Sequence, residues 1–511
     1  MKNTRTNNSI KNSIASIVVY ILNILMTFLM QSVFIRTLGA EYNGVKGLFT
    51  NILSMLSIAE LGFGSAIVYN LYRPMAEKNE DEIKTLVNFY KNVYHIIAGV
   101  TLAIGILLLP VVPYIVGEVS IPENINLLFM LYLLNTVASY LLTYKRSVLY
   151  ADQKNYITNI VSSIMIVIKN VVQILIIYLT KNFILFLICQ IAFTILENIS
   201  INIIVNARYK YVKSLKNVKP ISKNVKQDII TKVKGLLFHK IGGFVVLGTD
   251  NIIISMTKGL GVITVGLYSN YYLIINSVKT LFGTVLSSLT ASVGNLLIEK
   301  DKSKARNIYK SMLLLNSWIF CFGAAGIYCM IEPFIKIWIG EEYILSKFVL
   351  IVLVINLYVQ GMRVTTNTFK EAAGIFYEDR FVPLLESLIN IVASLIFVQF
   401  FGLAGVFIGT ITSTMILFFY SYPKYVYKLV LNGKVLEYFK LHIKHFLITI
   451  IAVLVTGYVS SLIVIENVVL KLVVNGLVCI VLPNVIYMLF AIRMPEFEFY
   501  KEKIYTILNK K

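Results

Sequence analysis

The feature that most constrains this chain is a succession of apolar runs, each about as long as a lipid bilayer is thick, separated by short polar connections. A helix needs roughly 20 mostly apolar residues to cross the hydrocarbon. Runs of that kind occupy 13–35, 44–70, 87–116, 125–143, 157–179 and 183–205, then 229–257, 262–297, 309–331, 347–369, 381–400, 403–421, 446–464 and 468–492. The chain is therefore predicted to be an all-α polytopic membrane protein with about 14 transmembrane helices. Its composition agrees: 57% of the 511 residues are hydrophobic and 14% are charged, where soluble domains carry about 25% charge.

After the sixth run, and reaching into the start of the seventh, comes the stretch from Arg208 to Lys234, RYKYVKSLKNVKPISKNVKQDIITKVK. Each Lys or Arg held at the bilayer centre costs about 2.5 to 3.5 kcal/mol, so this stretch stays outside the hydrocarbon. With the N-terminus inside, the inner connections carry about 35 Lys and Arg and the outer ones about five, the bias that the positive-inside rule favours. Both termini are predicted to be cytoplasmic. The net charge of +21 is then mostly topological, and no nucleic-acid recognition motif accompanies it. The first run is too long for a signal-peptide core and lacks a small-residue cleavage site, so it reads as a retained helix. Cys189, Cys321, Cys329 and Cys479 fall inside apolar runs and are expected to act as small hydrophobes, not as a disulfide framework or a metal cluster. The outer connections are too short for a catalytic domain, and the GxxxxGK[ST], HExxH and GxSxG motifs are absent. No enzymatic activity, cofactor or metal is expected.

The two halves echo one another at an offset of about 220 residues, the internal symmetry from which transporters are built. Leu38, Gly39 and Gly44 match Leu260, Gly261 and Gly266; the run from Pro113 to Glu118 is echoed by Pro333 to Glu341; Ala151 and Asn170 match Ala373 and Asn390. Six helices per repeat is an even number, so the copies share one orientation. The expected organisation is a six-helix lobe at 1–206, a basic cytoplasmic linker at 207–228, a second six-helix lobe at 229–431, and two additional helices with a tail at 432–511.

An ionisable side chain inside a membrane span is costly unless it faces a cavity or a partner, which makes it a functional candidate. Lys169, Lys240, Lys279 and Arg363 are the cations at depth. Lys279 and Arg363, nearest mid-span, are the strongest candidates to line a cationic cavity; Lys240, near an inner end, has snorkelling as its plainer explanation. Asp250, in GGFVVLGTDNIIIS, and Glu60, in AELGFGSA, are the ion-coupling candidates, because desolvation raises a carboxylate's pKa toward neutrality. Structural ion pairing and close helix packing are the competing readings of these two. Glu197 and Glu386 read as interfacial. His239 reads as a polar residue near an interface, and Tyr268, Tyr271 and Tyr272 as either sugar contacts or interfacial anchors.

The stretch LGAEYNGVKGLFTNILSMLSIAELGFGSAIVYNLYRPMAEKN from Leu38, with TDNIIIS from Thr249 and VGLYSNYYLIINSV from Val265, resembles bacterial surface-polysaccharide flippases of the multidrug/oligosaccharidyl-lipid/polysaccharide exporter superfamily. The resemblance covers essentially the whole chain. It implies a MATE-like fold whose lobes rock about a central cavity, carrying an undecaprenyl-pyrophosphate-linked oligosaccharide between leaflets of the bacterial plasma membrane. It further implies coupling to a proton or sodium gradient, with the bilayer and other polysaccharide-assembly proteins as partners. It assigns no individual cavity arginine to a position here. An ion-coupled multidrug antiporter of the same fold is the alternative, and it would favour acidic residues at depth. A membrane glycosyltransferase or polymerase would need a larger outer loop.

Overall fold

The computed structural model describes residues 2–56, 63–215, 218–223, 225–227, 229–230, 248–287, 289–299, 301–375 and 377–508. All regular structure among them is helical. The helices are α1 (Lys2–Leu56), α2 (Phe63–Glu77), α3 (Glu80–Leu108), α4 (Val112–Val116), α5 (Ile125–Tyr140), α6 (Arg146–Ala151), α7 (Asn155–Thr180) and α8 (Phe183–Arg208). After a helical stretch at 248–256 come α9 (Gly261–Ser287), α10 (Thr290–Ile298), α11 (Lys302–Trp338), α12 (Lys347–Ala373), α13 (Val382–Phe401) and α14 (Leu403–Ile416). The chain continues from α14 in a wider π-helical winding over Leu417–Val430, and ends with α15 (Val435–Leu462), α16 (Val468–Ala491) and α17 (Pro495–Leu508).

Twelve helical segments among the described residues are long and apolar enough to cross a membrane, and the chain is a multi-pass membrane protein. They follow the expected runs in order with two differences. The seventh run lies largely outside the described residues. The first two runs meet in α1, which is broken at Gly39 (φ 89°, ψ 179°), a backbone conformation that only glycine adopts without strain. In one straight helix Gln31 and Asn43 would be about 18 Å apart, yet Gln31 Nε2 donates to Asn43 Oδ1 at 2.9 Å. The chain therefore folds back at Gly39 into two antiparallel arms.

The internal repeat is visible in the helix boundaries. α3 and α11 begin at Glu80 and Lys302, and α5 and α12 at Ile125 and Lys347, each pair separated by the same 222 residues. The same separation relates the ends of α4 and α11, Val116 and Trp338, and of α6 and α12, Ala151 and Ala373. The caps repeat as well. Asn79 and Asp301 each accept a backbone N–H three residues on, as do Asn124 and Ser346, satisfying a donor that the first helical turn cannot bond internally. The helices α15 and α16 lie outside the repeat and pack on α11 through Leu314, Cys321, Ile448, Ala452, Tyr487 and Ala491.

One contact joins repeat-equivalent residues directly. A Cβ on Gly44 would stand 2.0 Å from the Val262 carbonyl oxygen, and one on Gly266 would stand 2.0 Å from that of Ala40. Only glycine at both positions lets the second arm of α1 and the start of α9 come this close, and Asn43 Nδ2 donates to the Gly266 carbonyl across it (2.8 Å).

The chain forms two compact units, Met1–Gly266 and Leu267–Lys511. This division falls later than the basic segment 207–228 at which the sequence repeat suggested separate lobes. The reason is packing: Gly248 lies on Met55, and Gly266 on Ala40, so residues of the seventh and eighth runs belong with α1. The described part of the basic segment packs on the first unit. Tyr209, Val212 and Ile229 are buried in one core with Leu86, Tyr90 and Val148, and Tyr209 Oη donates to Asp152 Oδ2 at 2.5 Å. Burial and that carboxylate raise the Tyr209 pKa well above its ordinary value.

Candidate functional site

Among the described residues, each unit holds a cluster of charged side chains on its spanning helices. In the first unit Lys46, on the second arm of α1, donates from Nζ to Gln31 Oε1 (3.0 Å) and sits 4.6 Å from the centre of the Phe34 ring. Gln31 in turn holds Asn43, so the ammonium is supported by a short polar chain. Lys46 and Lys169 of α7 lie close enough to repel one another electrostatically. Both are half-buried, and no described carboxylate is within ion-pair distance of either. Lys169 also feels the charge of Glu197 on α8, but Glu197 pairs elsewhere. Its Oε1 accepts from Arg146 Nη2 (2.8 Å) and from Ser162 Oγ (2.7 Å), and Arg146 donates further to Asn198 Oδ1 (2.9 Å).

Arg146 follows a break in the membrane segment. The helix stops at Tyr140, Leu142 takes a left-handed conformation (φ 68°), and winding resumes after Thr143. A break inside a membrane leaves carbonyls that need donors. Asn198 Nδ2 supplies Ala138 O (3.0 Å) and Leu141 O (2.9 Å), and Asn202 Nδ2 supplies Leu142 O (3.0 Å). In the second unit the matching helix α12 runs unbroken.

The second cluster lies along α12. Gln360, Arg363, Asn367 and Lys370 are spaced three or four apart, so they line one face, and each finds a partner on the following elements. Gln360 Nε2 donates to Thr414 Oγ1 (2.9 Å), and Tyr422 Oη donates to Asn367 Oδ1 (2.9 Å). Lys370 forms an ion pair with Asp379, which also accepts from Ser421 Oγ (3.0 Å). Arg363 makes a forked pair with Glu386, Nη1 to Oε1 at 2.9 Å and Nη2 to Oε2 at 3.3 Å. Thr414 Oγ1 donates weakly to the same Oε1 (3.4 Å), and Gln360 Oε1 accepts from Arg363 (2.9 Å). The side chain of Glu386 is 6% exposed and that of Arg363 22%. Lys279 of α9 is electrostatically coupled to Arg363, half-buried, and has no described carboxylate within ion-pair distance. The π-helical winding after α14 brings Ser421 and Tyr422 to this face, a use of that rare geometry often met at functional sites.

The sequence candidates are thus placed unevenly. Among the described residues Lys169 and Lys279 have no carboxylate at ion-pair distance, whereas Arg363 is held by Glu386. Glu197 and Glu386, expected to be interfacial, are instead the partners of Arg146 and Arg363, because each faces an arginine on an adjacent helix. Asp250 sits half-buried on the helical stretch 248–256. Lys240, His239 and Glu60 lie outside the described residues. Tyr271 is fully buried and its hydroxyl accepts from Leu345 N (3.0 Å), so it is a packing residue and not a sugar contact. Sequence reasoning passed over Lys46 and Arg146 because each lies within a few residues of the end of an expected run.

The helices, their repeat and the two extra C-terminal spans define a multi-pass membrane protein built on an internal repeat. The chain is similar to a solved structure of the lipid II flippase MurJ in an inward closed conformation, with 18% identity, a TM-score of 0.65, and 97% of this chain and 100% of that one covered. It is also similar to a multidrug-resistance MATE transporter of the MOP superfamily in its inward-facing conformation, with 14% identity, a TM-score of 0.61, and 79% and 94% covered. The outward-facing conformation of a MATE transporter matches at 13% identity and a TM-score of 0.54, with 81% and 93% covered. No protein-family model and no curated protein matches the chain. The fold is therefore the one that MOP-superfamily flippases and antiporters share.

Proposed function

We propose that this protein is a flippase for undecaprenyl-pyrophosphate-linked polysaccharide repeat units, moving them from the inner to the outer leaflet of a bacterial plasma membrane for capsule, O-antigen or a related surface glycan, by ion-coupled alternating access. The observation that carries this reading is the surplus of cations at depth: Lys46, Lys169 and Lys279 are half-buried in spanning helices without a described carboxylate at ion-pair distance. Keeping such lysines charged is costly unless an anion or water meets them. A pyrophosphate headgroup carries about two negative charges or more and needs compensating cations wherever the dielectric is low. The fold shared with a lipid II flippase supports the same assignment. A MATE-type multidrug antiporter is the competing reading, since MATE transporters share the fold, but cationic drugs call for surplus carboxylates and not surplus lysines.

The test is deletion of the gene followed by complementation. Loss of surface glycan with accumulation of lipid-linked units inside the cell is expected, restored by the wild-type chain and not by a Lys169→Gln/Lys279→Gln double variant present at normal levels. Unchanged glycan in the deletion strain, together with new sensitivity to cationic drugs, would move the assignment to the antiporter.

A further inference from the structure

Arg363 and Glu386 occupy an arrangement that a phosphate could enter. The forked pair presents two carboxylate oxygens to two guanidinium N–H groups, the same two-oxygen face that a phosphate offers. The arginine is the more exposed partner, at 22% against 6%, so a ligand approaching the pair meets Arg363 first and finds Glu386 behind it. The groups at the pair are Arg363 and Gln360 from α12 and Thr414 and Tyr422 from α14 and its continuation, and Lys279 of α9 interacts electrostatically with Arg363. Lys370 and Asp379, further along α12, neutralise one another. Arg363 holds the carboxylate, and Lys279, whose charge is felt at Arg363, leaves this group with one surplus positive charge. A headgroup with two or more negative charges exceeds that surplus, so Glu386 cannot stay both ionised and unpaired once the ligand holds Arg363.

We propose that Glu386 is a built-in stand-in for the transported phosphate. It holds Arg363 while no headgroup is bound, is displaced when a phosphate engages Arg363 and Lys279, and then takes up a proton or a sodium ion from solution. The inference rests on the anionic cargo proposed above. It gives ion coupling a location different from Asp250 and Glu60: displacement and cation uptake at Glu386 are one event. The cation binds a carboxylate oxygen of Glu386, and no covalent bond of the ligand changes.

The experiment titrates inorganic pyrophosphate into the purified full-length chain in nanodiscs by calorimetry, with proton uptake followed by an indicator dye in weak buffer, with and without sodium. The wild type is expected to bind with uptake of about one cation per ligand. Glu386→Gln should bind about tenfold more tightly, with uptake abolished, because the internal competitor is gone. Proton uptake reported by the dye, as against dependence on sodium, identifies the cation. Glu386→Asp keeps the charge but cannot span both nitrogens; it should bind by a smaller factor more tightly and retain uptake, and it serves if the Gln variant does not fold. Binding by the wild type with affinity and uptake unchanged in both Glu386 variants overturns the stand-in role and leaves the cargo assignment intact. Binding by none of the chains, the wild type included, overturns both.

Discussion

At Gly44 and Gly266 a single methyl group would collide with a backbone carbonyl, and because the two residues are repeat equivalents the collisions are matched. Neither carbonyl can swing aside as a flexible side chain would, so the helices themselves must separate. Gly44→Leu and Gly266→Leu are each expected to destabilise the protein by about 3 kcal/mol or more, the upper range of overpacking. Thermal unfolding in detergent should show both with lowered midpoints of similar size; a large loss in one and none in the other would contradict the symmetric contact. The Arg363–Glu386 pair makes a second case at this scale. Removing one partner of a buried pair strands the other charge and costs about 3 to 5 kcal/mol. Glu386→Leu should therefore lower stability more than the double variant Arg363→Met/Glu386→Leu, which the same unfolding measurement would resolve.

Among the elements, the contrast between the broken α5–α6 segment and continuous α12 is the clearest departure from the repeat. Both segments start and stop at matching positions, so the break is local to the first unit. It persists because Asn198 and Asn202 of α8 bond the carbonyls it exposes. Replacing Asn198 with Leu leaves those buried acceptors without their donor, at about 1 to 3 kcal/mol for an unsatisfied group. Lower stability together with increased proteolysis in the Leu142 region is the expected outcome, and an unaltered cleavage pattern would mean that the break needs no such support. Arg146 follows the break directly and pairs with Glu197.

For the molecule as a whole, the orientation expected from the charge bias is a prediction that labelling tests. All four native cysteines are buried, so they form a quiet background for introduced ones. Glu342, in the turn after α11, and Lys424, after α14, are both exposed. In intact cells a membrane-impermeant maleimide should label a Glu342→Cys chain and spare a Lys424→Cys chain until the cells are opened. The reverse pattern would invert the topology and, with it, the direction of transport proposed here.

Hydrophobic run lengths and the matched spacing of Gly, Pro, Ala and Asn were enough to set the helical class, the order of the spans and the repeat, because these depend on local length and polarity against a bilayer. Lys169 and Lys279 were legible for the same reason: a charge in an apolar run stands out whatever surrounds it. What the sequence could not settle is which charge meets which. Arg363 looked as free as Lys279 until α13 carried Glu386 to it, and Glu197 looked interfacial until the fold paired it with Arg146. Pairing between residues far apart along the chain depends on side-chain directions and helix contacts, and only the folded chain fixes those.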